Sequence, residues 1–432
     1  ALTDGGGGGG LTKEGTGTLT LSGANTYTGT TTINAGTLTL SGGNSIVNTG
    51  AVSVSSGAVL NLSSSETIGS IAGAGNVTLG SNTLTTGGDN TSTTFSGDIS
   101  GTGGGLTKSG SGTFTLSGAN TYTGATTINA GTISISAVGA LGSTSGVSMG
   151  NATELTYTGA AATLARNITV TAGSATVQNS GSGLLTLSGG LSKDGTTLVL
   201  KGGAQGIDVT GVISGASANS DLDVYGNVTL TGANTYTGST TVNAGTLSIG
   251  NSMSIGSIAG SGALVLGVGT TLTTNSSSST TYSGTISGAG SLTKNGSGTL
   301  TLSGTNTYSG GTTLNAGTLV IGNVAAAGTG NITQTDGTSL LRFETTGTVT
   351  NGLHAYNVGT TQTITIGGAI TAYNTTYDVA DGTTMTLTGA ISGSGGITKD
   401  GNGTLAVNGA NNTFTGDTVV NDGILEANAV GA

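Results

Sequence analysis

The sequence predicts an all-β fold, a parallel β-solenoid forming one elongated rod, and three observations predict it. A long phrase recurs along the chain, short runs alternate apolar and polar residues, and glycine punctuates those runs while proline is absent. The phrase reads LTKEGTGTLTLSGANTYTGTTTINAGTLTLS at Leu11–Ser41 and LTKSGSGTFTLSGANTYTGATTINAGTISIS at Leu106–Ser136. Looser copies lie at Leu292–Gly322, at Gly226–Gly250 (second half only) and at Ile397–Asn428. A second phrase, Ile68–Gly73 leading to Phe95–Gly101, returns as Ile255–Gly260 leading to Tyr282–Gly288. Corresponding lysines (Lys13, Lys108, Lys193, Lys294, Lys399) are roughly 85–105 residues apart, too far for one structural rung and enough for several. The chain therefore divides into five imperfect repeats, 11–105, 106–190, 191–291, 292–396 and a partial 397–432, within one continuous domain 1–432.

Runs such as Thr18-Leu19-Thr20-Leu21 and Thr113-Phe114-Thr115-Leu116 alternate at period two, the signature of strands with one buried and one wet face. Between Leu19 and Leu38 the order is strand, turn at Gly23-Ala24-Asn25, strand around Tyr27–Ile33, turn at Asn34-Ala35-Gly36, and strand again. A circuit of roughly 20 residues is the size of one solenoid rung. Stacked rungs pair each strand in parallel with its equivalent about 4.8 Å away. Some 20 rungs would give a rod on the order of 100 Å. No stretch has a helical period, so essentially no helix is expected.

Glycine supplies 86 of 432 residues and charged residues only 6%, with no proline, cysteine or tryptophan. Proline would remove a ladder hydrogen bond from any strand flanked on both sides, so its absence suits this architecture. A chain without cysteine does not rely on disulfides. The net charge of −10 leaves no electrostatic footprint for nucleic acid. No apolar run is long enough to span a membrane, and the first residues lack the basic and apolar regions of a signal peptide.

Two residue series recur with the phrase. Asn34, Asn129, Asn243, Asn315 and Asn421 each stand two residues before a glycine, which marks tight corners. Tyr27, Tyr122, Tyr236 and Tyr308, with Phe414 in the last copy, are either packing positions or rings on which a sugar stacks. The four tyrosines are the candidate binding residues.

These phrases, together with ISGxGxLTK at Ile286–Lys294 and, with Ile for Leu, at Ile391–Lys399, resemble the passenger-associated repeats of bacterial autotransporters. The resemblance covers most of the chain and weakens at 143–226 and 325–386. It implies a right-handed parallel β-helix, displayed at the surface of a Gram-negative type of bacterium or released from it. It also implies secretion by a translocator barrel that this sequence does not contain. Ala429-Val430-Gly431-Ala432 repeats Ala137-Val138-Gly139-Ala140, after which the earlier copy continues, so the sequence reads as stopping mid-phrase.

A parallel β-helix also serves as a polysaccharide lyase or hydrolase scaffold, and such chemistry needs paired carboxylates. Asp221 with Asp223, and Asp378 with Asp381, are the acidic pairs, weak candidates for Ca²⁺ in the absence of a complete ligand loop. His354 is the single histidine, and no nucleophile motif accompanies it. The sequence therefore predicts a non-enzymatic structural or adhesive protein without a cofactor. Its expected partners are surface glycans and further copies of itself, since the terminal rungs of a solenoid offer unpaired backbone groups.

Overall fold

A computed structural model describes residues 1–428. The tetrapeptide 429–432, expected to echo 137–140, lies outside the described residues. Short strands account for nearly all regular structure. Among the described residues the helical exception is a single 3-10 turn at Val138–Leu141. The chain forms two compact units, one comprising 1–222 with 226–228 and the other 223–225 with the residues from 229 onward.

In the first unit each coil pairs in parallel with the next, Leu11 opposite Thr31 and Thr18 opposite Thr37, offsets of 20 and 19 residues. The alternation sets the register. In Thr113–Leu116, Phe114 and Leu116 point inward and the threonines outward, and Ile133 and Ile135 stack on them from the next coil. Each inward leucine or isoleucine contributes roughly 1.5–3 kcal/mol relative to exposure. A one-residue slip would expose a whole row. The second unit repeats this construction, with Leu300 and Leu302 stacked on Leu319 and Ile321.

Where coils meet at corners, only glycine fits. Gly131 has φ 68°, and a Cβ there would stand 2.5 Å from the Gly112 carbonyl oxygen. The strand expected around Tyr27–Ile33 is confined to Thr31–Ile33. Residues 27–30 form no regular strand; just before them the Asn25 side chain bridges the coils, its Oδ1 accepting the Leu2 N–H (2.6 Å) and its Nδ2 donating to Ser45 O (2.8 Å).

The repeated phrase is out of phase with the coils. In the first unit the pairing path from Leu11–Lys13 runs through Thr31–Ile33, Ala51–Val54, Ser70–Gly73 and Thr93–Phe95 to Thr113–Leu116. The LTK strand of one copy thus shares a face with the TFTL strand of the next. In the second unit a single face carries Thr299–Leu302, Thr318–Ile321, Leu340–Phe343, parts of Leu353–Thr360 and Ile370–Val379, and then Ile397–Asp400. Equivalent residues of successive repeats within a unit therefore point to different sides.

Candidate functional site

Several polar side chains that recur with the phrase are turned inward. In LTK the leucine and lysine are two apart, so strand periodicity puts both on the buried face. Lys13, Lys108, Lys193, Lys294 and Lys399 are all buried. Each ammonium donates to corner carbonyls. Lys108 Nζ reaches Ser109 O (2.6 Å), Gly110 O (2.7 Å) and, one coil on, Ala130 O (3.4 Å). Lys399 repeats the arrangement with Asp400 O, Gly401 O and Asp422 O at 2.7, 2.6 and 3.2 Å. Lys193 donates to Ser220 O. Burial pushes the ammonium groups of Lys108, Lys294 and Lys399 below the usual lysine range, partly opposed at Lys399 by Asp378, Asp400 and Asp422. Such a group, spent on backbone oxygens, is unavailable as a catalytic base.

A second inward residue is the asparagine of the NTY triplet. The Ile99 N–H donates to Asn120 Oδ1 (2.7 Å), and Asn120 Nδ2 donates to Ala140 O (2.5 Å), tying three successive coils together. Asn306 does the same between Ile286 and Ala326. The sequence pointed to the other asparagine series. Asn34, Asn129 and Asn421 stand at exposed corners, and Asn243 and Asn315 are half-buried. The positive φ at these corners belongs to Gly36, Gly131, Gly245, Gly317 and Gly423.

The structure corrects the tyrosines as sugar platforms. Tyr27, Tyr122, Tyr236 and Tyr308 lie in the core, at most 3% exposed. Each hydroxyl shares a hydrogen bond with a threonine four residues on, at 2.5–2.8 Å. Burial raises the Tyr122 phenol to about 12 and pushes those of Tyr236 and Tyr308 up as well. Their ring faces are covered by neighbouring coils, so no sugar reaches them. Phe414 lines a small cleft with Ile397 and Leu425.

Asp221 and Asp223 occupy outward, half-buried positions of the strand Asp221–Leu230. Asp378 lies outward on Ile370–Val379 and Asp381 in the turn after it. The register partner of Asp378 is Asp400, a pairing the sequence did not suggest. Among the described residues, no three histidine or acidic side chains converge as a metal site would require. His354 packs at an angle against Tyr373, ring centres 6.5 Å apart.

The segment where the repeat fades carries an aromatic pair, Tyr373 exposed and Tyr356 half-buried. Tyr356 and Tyr373 stack with ring centres 5.3 Å apart and planes 23° apart. They border a groove of about 630 Å³ that Asn357, Asn374, Asp378 and Asp400 also line. The signal was visible in the sequence: three of the ten tyrosines and the single histidine fall within 354–377, outside any copy of the phrase.

Comparison with known proteins agrees with this repeated interior. The family model described as passenger-associated-transport-repeat matches residues 11–40, 35–61, 106–135, 226–249, 292–321 and 397–427. A stretch of 79 residues is 62% identical to the adhesin BmaC autotransporter of Brucella suis biovar 1 (strain 1330), covering 18% of this chain and 2% of that protein. No solved structure matches the chain. The matched segments contain the caged lysines Lys13, Lys108, Lys294 and Lys399 and the bridging Asn120 and Asn306: the chain carries passenger-associated transport repeats.

Proposed function

We propose that this chain is part of the secreted passenger of an autotransporter adhesin, displayed at or released from the surface of a Gram-negative type of bacterium. Its repeats hold the solenoid together and its irregular coils carry adhesive surface. The observation that carries this reading is the fate of the repeated polar residues. The LTK lysine and the asparagine and tyrosine of NTY are consumed inside the coils, so their repetition serves architecture. The name of the Brucella relative supports the adhesive part. We read the protein as non-enzymatic, because the five recurring ammonium groups are committed to backbone carbonyls and the paired acids Asp221, Asp223 and Asp378 stand outward. A translocator barrel outside this sequence would be its secretion partner.

Fusing the chain between a signal peptide and a translocator barrel tests the proposal. Surface exposure, read by antibody binding on intact cells, and increased attachment of those cells to host cell layers are expected. Retention in the periplasm, or display without attachment, contradicts it. Turnover of pectin or alginate by the purified chain would favour an enzyme instead. Association between copies is a finer part of the same reading. A solenoid coil without a neighbour offers unpaired backbone groups to another chain. Sedimentation that depends on concentration and is lost in Leu425→Lys supports it, and a monomer at all concentrations contradicts it.

A further inference from the structure

We propose that the groove beside Tyr356 and Tyr373 binds a neutral oligosaccharide, an inference that rests on the adhesive reading above and gives it a site. The rings stand on corners of consecutive coils, where the pairing of Leu353–Thr360 with Ile370–Val379 shifts register between Ala355 and Asn357. That shift lets Tyr373-Asn374 bulge outward. Among the described residues Asn374 is one of four non-glycine residues with positive φ, at 60°, a conformation that asparagine tolerates better than most residues.

The bulge is held from several sides. Asn374 Oδ1 accepts the Gly396 N–H (2.8 Å), and Thr375 Oγ1 donates to Ala355 O (2.6 Å). From the coil below, Gln334 Oε1 accepts the N–H groups of both Tyr356 (3.0 Å) and Asn357 (3.1 Å). Gly395 of the next coil abuts the backbone of the bulge, where a Cβ would lie 2.1 Å from Asn374 N. The close approach requires glycine. Tyr373 remains 40% exposed.

Rings of this kind accept the C–H face of a pyranose, while the polar groups around them meet its hydroxyls. Asn357 and Asn374 supply amides, and Asp378 and Asp400 supply carboxylates that accept from hydroxyl donors. These two acids are direct register partners on the outer face. Like charges so placed repel; the Lys399 ammonium offsets part of that repulsion, and hydroxyl hydrogens between the two acids relieve more of it. The same carboxylates select against uronic and sialic acids. The specificity is thus opposite to that of an enzyme acting on acidic polysaccharide.

Titration calorimetry of the 432-residue chain with cellohexaose, mannohexaose and hexagalacturonate tests the site. Binding of at least one neutral hexamer is expected, with none of the acidic one. Tyr373→Ala should weaken it about tenfold, the scale of one lost stacking contact. Asp378→Asn should restore some affinity for hexagalacturonate. Circular dichroism confirms folding of each variant, and Tyr122→Phe, in the core, should bind as the parent does. Unchanged affinity in Tyr373→Ala overturns the site, as does binding of the acidic hexamer alone. Attachment of displaying cells to host layers without any neutral-saccharide binding overturns the site and leaves the adhesive reading standing. Failure of attachment as well removes both.

Discussion

Two corners in the second unit, two coils apart on one side of the solenoid, solve the same problem differently. Lys294 ends the strand Ser291–Lys294 and donates to Gly296 O in its own corner and to Ala316 O in the next coil's corner. Gln334, in the same column through Leu314, donates to Ser339 O in its own corner and accepts from Tyr356 and Asn357 in the next. Lysine has only donors, so the corner above it must present carbonyls inward, and what faces out is small and polar. Glutamine offers an acceptor as well, so the next corner can turn its N–H groups inward and open into a bulge with aromatic side chains outside. The buried side chain thus differs between the closed corner and the open one.

The largest expected effect lies in the lysine corner. Lys294→Met keeps the volume but leaves the Gly296 and Ala316 carbonyls without their donor, and should cost about 3 kcal/mol. Chemical denaturation of the parent and variant checks this, and a loss below the cost of one hydrogen bond would mean that water replaces the ammonium there.

Asn306→Ala comes next. It strands the Ile286 N–H and the Ala326 carbonyl in the coils on either side, at a cost of about 2 kcal/mol. Hydrogen exchange should show the Ile286 amide opening faster while the Lys294 corner stays protected. Equal loosening of both would couple the two features that the comparison keeps separate.

Glu66 shows the reverse case, a buried charge without a cage. It accepts the Ile46 N–H at 2.9 Å, yet burial pushes its carboxyl above the usual range despite hydrogen bonds from Ile46 and Ser45. A raised carboxyl stabilises the fold fully below the unfolded-state value, and that stability is lost as pH rises through the folded-state value. Stability should therefore decline from about pH 4.5 upward at this site. Glu66→Gln should remove the decline and raise the melting temperature at pH 7 by ~2 °C. A variant that melts lower at pH 7 would show the carboxylate to be well solvated.

The solenoid was legible because alternation, glycine corners and the repeat agree in every copy, as in Thr113–Leu116 and Thr299–Leu302. The site was harder to read. Repetition drew attention to Tyr122 and Tyr308, yet a residue that must fit between coils recurs because packing demands it. Asn120 was missed because no local pattern distinguishes an inward amide from a turn residue; its partners, Ile99 and Ala140, are about 20 residues away on either side. Tyr356 and Tyr373 lie where the pattern fails, and freedom from the repeat is what allows them to face solvent. The rotation of successive copies onto different faces has no signature in the phrase itself, since it depends on summed coil lengths.

Hydroxyl-radical footprinting of the tyrosines tests the central claim most directly, because one experiment reads both classes of corner. Tyr356 and Tyr373 should label readily and be protected by the neutral hexamer that binds, while Tyr27, Tyr122, Tyr236 and Tyr308 stay unlabelled with or without it. Labelling of Tyr122 or Tyr308 at the rate of Tyr373, or protection of those core rings by saccharide, would contradict the division between architectural repeats and displayed corners.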